Sequence, residues 1–224
     1  MGRVARLMLT MMAAALAAGS AGAQMPMTVL NHSFEDPGWA TDGDGRVTLS
    51  VPHWDANVLE GCFNPKDPAV NVAGFFGTTG VTNDIPAPGD GPCYGQLAGN
   101  WPDPPATWSQ AVSDTFVAGN TYTLTVAVGK RSYNGSGLWN EGDLFIQLAN
   151  SDRTVIYATV EATAASTTAG YFVDHSCSWT PDSDTTGVYI WLVKKVVTTH
   201  SSIVDNVRLT EEKGPPKGGV LIVK

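Results

Sequence analysis

The 224-residue chain is predicted to be all-β, an antiparallel β-sandwich of jelly-roll type spanning residues 25–211. The stretch Thr121–Gly129 alternates Tyr122, Leu124, Val126 and Val128 on one face with threonines on the other. That period of two is what a half-buried antiparallel strand requires. Further strand-like runs recur at short spacing between Gly/Pro turns, as in sandwiches and jelly rolls. No segment with helical periodicity occurs after the first 23 residues.

Those first residues form a leader. Arg3 and Arg6 precede an apolar run, Leu7 to Ala18, and Ala21-Gly22-Ala23 is an A-x-A cleavage site. Residues 1–23 are expected to be a signal peptide, and the mature chain to be secreted, extracellular or periplasmic. The run is too short for a membrane span. Without its two arginines the chain is two units more negative than the formal −8 of the full sequence. An acidic chain without clustered Lys/Arg is a poor partner for nucleic acid or anionic lipid.

Taken in order, Asn31-His32-Ser33-Phe34-Glu35-Asp36-Pro37-Gly38-Trp39 sets an apolar anchor before two carboxylates and a turn. Asp42-Gly43-Asp44-Gly45 is a turn without the rest of an EF-hand. Residues 46–50 read as a short strand. Residues 55–92 are irregular and rich in Pro and Gly, which in a compact domain means a functional or stapled segment. An exported chain favours pairing of Cys62 with Cys93, a bridge contributing about 3 kcal/mol if unstrained. Cys177 is then left as a buried free thiol.

Strands follow over 93–97, 108–112, 121–129, 144–148, 154–160, 171–180, 187–197 and 202–210. A Gly/Asn loop with Trp139 covers 132–142, and 162–170 is a small-residue linker. Residues 212–224 read as a flexible tail.

The opening Asn31-x-Ser33-Phe34-Glu35, the closing Asp205-Asn206-Val207, and the central Gln110 to Arg131 resemble the galactose-binding-like β-sandwich family, which includes many carbohydrate-binding modules. The resemblance implies that residues near 34 and 207 lie in adjacent opening and closing strands. It also implies one structural Ca²⁺ held by Glu35 and Asp205, with backbone carbonyls near Asn31 and Asn206. Such an ion takes oxygen ligands, and a carboxylate within a strand is costly to bury without a positive partner.

Enzymatic signatures are weak. His32, His53, His175 and His200 are present, but no G-x-S-x-G elbow accompanies them. His175 and His200 read as satisfied structural histidines. Glu60, Glu141, Asp143 and Glu161 stand at turns or linkers, where a glycosidase pair is not expected. Aromatics are more suggestive. Trp101 and Trp139 stand in loops, and Tyr189 and Trp191 alternate with Ile190 and Leu192, so both faces of that strand are apolar. Phe145 and Gln147 behave likewise. A sandwich strand needs one buried face, so the second set either meets a ligand or is covered by the 55–92 segment. The expected function is therefore a non-catalytic carbohydrate-binding module whose glycan meets Trp101, Trp139, Phe145, Gln147, Tyr189 and Trp191. An extracellular surface or matrix structural protein is the alternative, with a polysaccharide-acting enzyme ranked last.

Overall fold

A computed structural model describes residues 23–34, 51–57, 62–63, 94–97, 106–130, 144–163, 165–167, 171–195 and 202–215. Residues 1–22 of the expected leader, Glu35, Cys93, Trp101, Trp139, His200 and the end of the tail lie outside the described residues, as does the side chain of Cys62. The proposed Cys62–Cys93 bridge falls there too.

The described residues contain strands and no helix. The strands are β1 (Gln24–Met27), β2 (Asp55–Ala56), β3 (Cys62–Phe63), β4 (Tyr94–Leu97), β5 (Thr107–Ala111), β6 (Thr121–Lys130), β7 (Leu144–Ala149), β8 (Ile156–Ala162), β9 (Tyr171–Trp179), β10 (Tyr189–Lys194) and β11 (Ser202–Glu212). They form two antiparallel sheets. The first runs β3-β4-β11-β6-β9, with β1 also paired to β11, and the second runs β2-β5-β10-β7-β8. The predicted sandwich is what the chain adopts.

The alternation predicted for Thr121–Gly129 sets the core. Tyr122, Leu124, Val126 and Val128 are fully buried and meet Ile146, Leu148, Ile190 and Leu192 of the second sheet in one cluster. On the outer face of β6, Thr121, Thr123 and Thr125 bond to Thr180, Ser178 and Ser176 at 2.7–2.9 Å, a ladder of cross-strand pairs of the stabilising kind. Gly95 faces inward because Trp108 occupies the space: a Cβ there would lie 2.6 Å from the indole.

The opening stretch differs from expectation. Asn31–Phe34 is a turn, with Asn31 at φ 45° and Phe34 at φ 58°. The first strand is β1, in register with Leu209–Glu212. The backbone N–H of Val207 still donates to the His32 carbonyl at 2.9 Å, so the two motifs are adjacent through a turn. Phe34 drops into the core beside Trp54 and Trp108, with ring centroids 5.5–6.5 Å apart. Gln110 ties the loop down by bonding both the N–H and the carbonyl of Leu30 at 2.9 Å. The strand expected over 154–160 begins at Ile156 and continues through Ala162. Asn150 and Asp152 hold the residues before it in a turn.

Candidate functional site

Three places hold polar or aromatic side chains that the core does not explain. On the outer face of the second sheet, Trp191 lies in register with Gln147 and Ser109, Tyr189 with Ala149, and Val193 with Phe145. Four of the expected sugar contacts, Phe145, Gln147, Tyr189 and Trp191, thus share one face. Trp191, Phe145 and Gln147 are engaged with the protein, except for the Gln147 Oε1, which is buried without a hydrogen-bond partner. Trp191 Nε1 donates to the Asn150 carbonyl at 3.1 Å, and Arg153 sits 5.9 Å over its ring. Lys195 lies 5.8 Å from the Phe145 ring and pairs with Glu161 at 2.8 Å. Gln147 is buried, its Nε2 3.3 Å from Thr159 Oγ1.

The second place is Asp205, fully buried at the irregularity where β11 changes register between Asp205 and Arg208. Its register partner is Ala127, on the face opposite the core. Oδ1 accepts the N–H of Asn206 at 2.7 Å, and Asn206 has φ 45°. Of the other oxygens expected around an ion, the Asn31 carbonyl already takes the Phe34 N–H and Trp54 Nε1 at 3.3 and 3.4 Å. Among the described residues no group of three or more His, Cys, Asp or Glu converges on a metal position.

The third place is one end of the core. The connections from β4 to β5, β6 to β7, β8 to β9 and β10 to β11 each pass between sheets, and all leave from this end. The inward row of β10 is Ile190, Leu192, Lys194, so the lysine enters the core side at the level of Leu144, its register partner. Lys194 is 5% exposed. Across the sandwich and further in from this end, β9 turns His175 and Cys177 inward at mid-strand beside Val126 and Leu124. Ser202, in register with the buried Leu97, begins β11 at the same end and is buried as well.

His175 was expected to be satisfied by neighbours, and the structure corrects this. It is 8% exposed, and its enclosed Nε2 makes no hydrogen bond. Burial is the larger influence on its pKa and lowers it; the adjacent Asp174 carboxylate pulls weakly the other way. The imidazole therefore favours the neutral form. Cys177 is a buried free thiol, as expected. Its Sγ lies 3.7 Å from the Ile146 carbonyl, and burial pushes its pKa up to about 11, the setting of an inert thiol. Sequence reasoning missed Lys194 and misjudged His175. The phase of alternation held the signal, since each lies two residues from a position already assigned to the core.

The family model described as HpiC1-like, HpiC1 cyclase, matches residues 25–210. No curated protein matches the chain. Among solved structures, the Stig cyclase Fisc from Fischerella sp. TAU in complex with (3Z)-3-(1-methyl-2-pyrrolidinylidene)-3H-indole is similar at 17% identity and TM-score 0.60. The match covers 86% of this chain and all of that one, 100%. A cyclase from Fischerella sp. TAU in complex with 4-(1H-indol-3-yl)butan-2-one gives 15% identity, coverage of 86% and 100%, and TM-score 0.62. The CBM22-1 xylan-binding domain of Paenibacillus barcinonensis Xyn10C shows 12% identity over 88% and 100% of the chains, at TM-score 0.44. The family match overturns the expected non-catalytic carbohydrate-binding module, and with it the expectation that the chain is not an enzyme. Sequence features that point to a fold do not by themselves establish a function. Matched along nearly all of its sandwich, the chain belongs to the HpiC1-like cyclase family.

Proposed function

We propose that the protein is a ring-closing enzyme acting on a small substrate of the indole class, and that the crossover end of the sandwich is its site. The observation that carries the activity is the match to a cyclase family over residues 25–210. The substrate class is supported by the indole compounds held by the two Fischerella cyclases. The location is supported by Lys194 and Ser202, polar side chains buried at that end of an otherwise apolar core, and by His175, buried further in at mid-strand.

Ring closure within one molecule needs a flexible chain held with its reacting carbons close together. It also needs water kept from reactive intermediates. A mostly apolar enclosure with a few fixed polar groups meets both demands. Leu144, Val126 and Val128 supply apolar walls, and the lysine, serine and histidine supply polarity at fixed strand positions. The test is to incubate the mature protein with 3-substituted indoles whose side chain carries an alkene or a carbonyl. Alkene substrates should give an isomer of unchanged mass with one alkene fewer by NMR. Absence of any cyclised product across the panel would refute the reading.

Secretion and a structural Ca²⁺ at Asp205 belong to the same proposal. The buried Asp205 carboxylate supports the ion, and a chelator that leaves the melting temperature unchanged would remove it.

A further inference from the structure

We infer that His175 is a substrate-contacting residue, its Nε2 accepting a hydrogen bond from the N–H of an aromatic heterocycle that enters between the sheets from the crossover end. The substrate class rests on the cyclase reading, whereas the contact is read from the fold.

A buried polar atom in a folded protein nearly always has a hydrogen-bond partner, and each exception calls for an explanation. Leaving such an atom without a hydrogen bond carries a free-energy cost. Nε2 of His175 is enclosed and makes no hydrogen bond, although β9 could have carried an apolar residue there, as β6 carries Val126 beside it. The position is directional. His175 shares the inward face with Cys177, whose thiol is already directed at the Ile146 carbonyl, so the imidazole is the polar group of this strand left for an occupant. Toward solvent the strand loosens: Tyr171 is exposed, and Phe172 and Val173 are half-buried. Approach to the histidine therefore runs along the first residues of β9.

Chemistry selects the kind of partner. Burial disfavours the imidazolium, so the ring stands neutral. With its proton on Nδ1 it presents the lone pair of Nε2, which an N–H donor satisfies. An indole provides one N–H on an otherwise apolar, planar body, which suits an apolar enclosure. A site built to hydrogen-bond one substrate group rejects the analogue lacking it, because its own polar atom is then left unpaired.

The probes are indole and 1-methylindole, titrated into the mature full chain by calorimetry. Wild type should bind indole about five- to tenfold more tightly than 1-methylindole, the ratio expected for one neutral hydrogen bond. In His175→Leu the ratio should fall to about one. Because that variant could disturb packing, the wild type is also read directly, through the Nε2 resonance of ¹⁵N-histidine-labelled protein, which should move on adding indole and stay in place with 1-methylindole. Equal affinities in wild type, no binding of indole, or an unmoved Nε2 resonance would each overturn the inference. Cyclised product with an unmoved resonance would sink the contact alone, whereas a methyl-sensitive resonance without turnover would sink the cyclase reading alone.

Discussion

The two ends of the sandwich are built from the same strands and differ in what they bury. At the end holding the β7–β8 hairpin and the connections β5 to β6 and β9 to β10, the core is sealed by aromatics. Phe116 lies 4.3 Å from the Tyr122 ring and 5.6 Å from that of Trp179, which stacks on Tyr157 at 4.3 Å. The Tyr122 hydroxyl that enters there is fully used: it takes the Val117 N–H at 2.6 Å and donates to Glu211 at 2.9 Å. Burial raises its pKa, the Val117 N–H opposes this, and the Glu211 carboxylate adds to the rise. At the crossover end the inward rows of β10 and β11 carry Lys194 and Ser202, and further in, at mid-strand in β9, His175 keeps an enclosed nitrogen without a bond. One end is finished for stability. The other keeps a buried polar atom without a partner, an exception that calls for an explanation.

Substitution at the sealed end should have the largest effect. Phe116→Ala removes a fully buried ring and should cost about 3–5 kcal/mol, measured as the shift in urea midpoint. His175→Leu, at the other end, should leave stability within roughly 1 kcal/mol of wild type, because it replaces an orphaned polar atom with an apolar one. A loss comparable to that of Phe116→Ala would erase the contrast. Tyr122→Phe strands the Val117 N–H and releases Glu211, and should cost about 1–3 kcal/mol in the same assay.

pH sharpens the comparison more gently. The folded-state pKa of His175 lies below that of the unfolded chain, so the unfolded state binds more protons between the two values. Its contribution to stability is complete above the ordinary histidine pKa of about 6.5 and is lost as pH falls through the lowered value. The groups nearby are consistent with this: the Cys177 thiol stays protonated in that range, and Asp174 points to the other face. In thermal melts between pH 7 and 5, wild type should lose more stability than His175→Leu. Parallel curves would mean that the histidine titrates as in the unfolded chain. The smallest effect belongs to the outer face. Lys195→Ala breaks the partly exposed pair with Glu161 and should change stability by less than about 1 kcal/mol.

Much of the fold was legible because one sheet face is buried and the side-chain period is two. Tyr122 to Val128 could be assigned to the core without any contact being known. The strand from β10 was legible as apolar on both faces, and its outer set, Tyr189 and Trp191, does share a face with Phe145 and Gln147. What those aromatics do was not legible, since Arg153, Lys195 and Asn150 engage them from positions distant in sequence or across the sheet edge. The turn at Asn31–Phe34 was read as strand because its apolar anchor and β-like flanks hide two residues at positive φ. The crossover end escaped for a different reason. Lys194 and His175 resemble ordinary polar strand residues until register places each one inward, and register is a property of pairing.

Turnover in variants taken from each place tests the central claim most directly. With a 3-substituted indole that the wild type cyclises, product formation would be followed by mass spectrometry in His175→Leu, Tyr122→Phe and Trp191→Ala, each first shown to be folded by its melt. The account predicts at least a tenfold loss of kcat/KM in His175→Leu, with Tyr122→Phe and Trp191→Ala within about twofold of wild type; a tenfold change corresponds to about 1.4 kcal/mol of transition-state stabilisation. Full activity in His175→Leu, with loss in Trp191→Ala, would move the site to the outer face of the second sheet and contradict it.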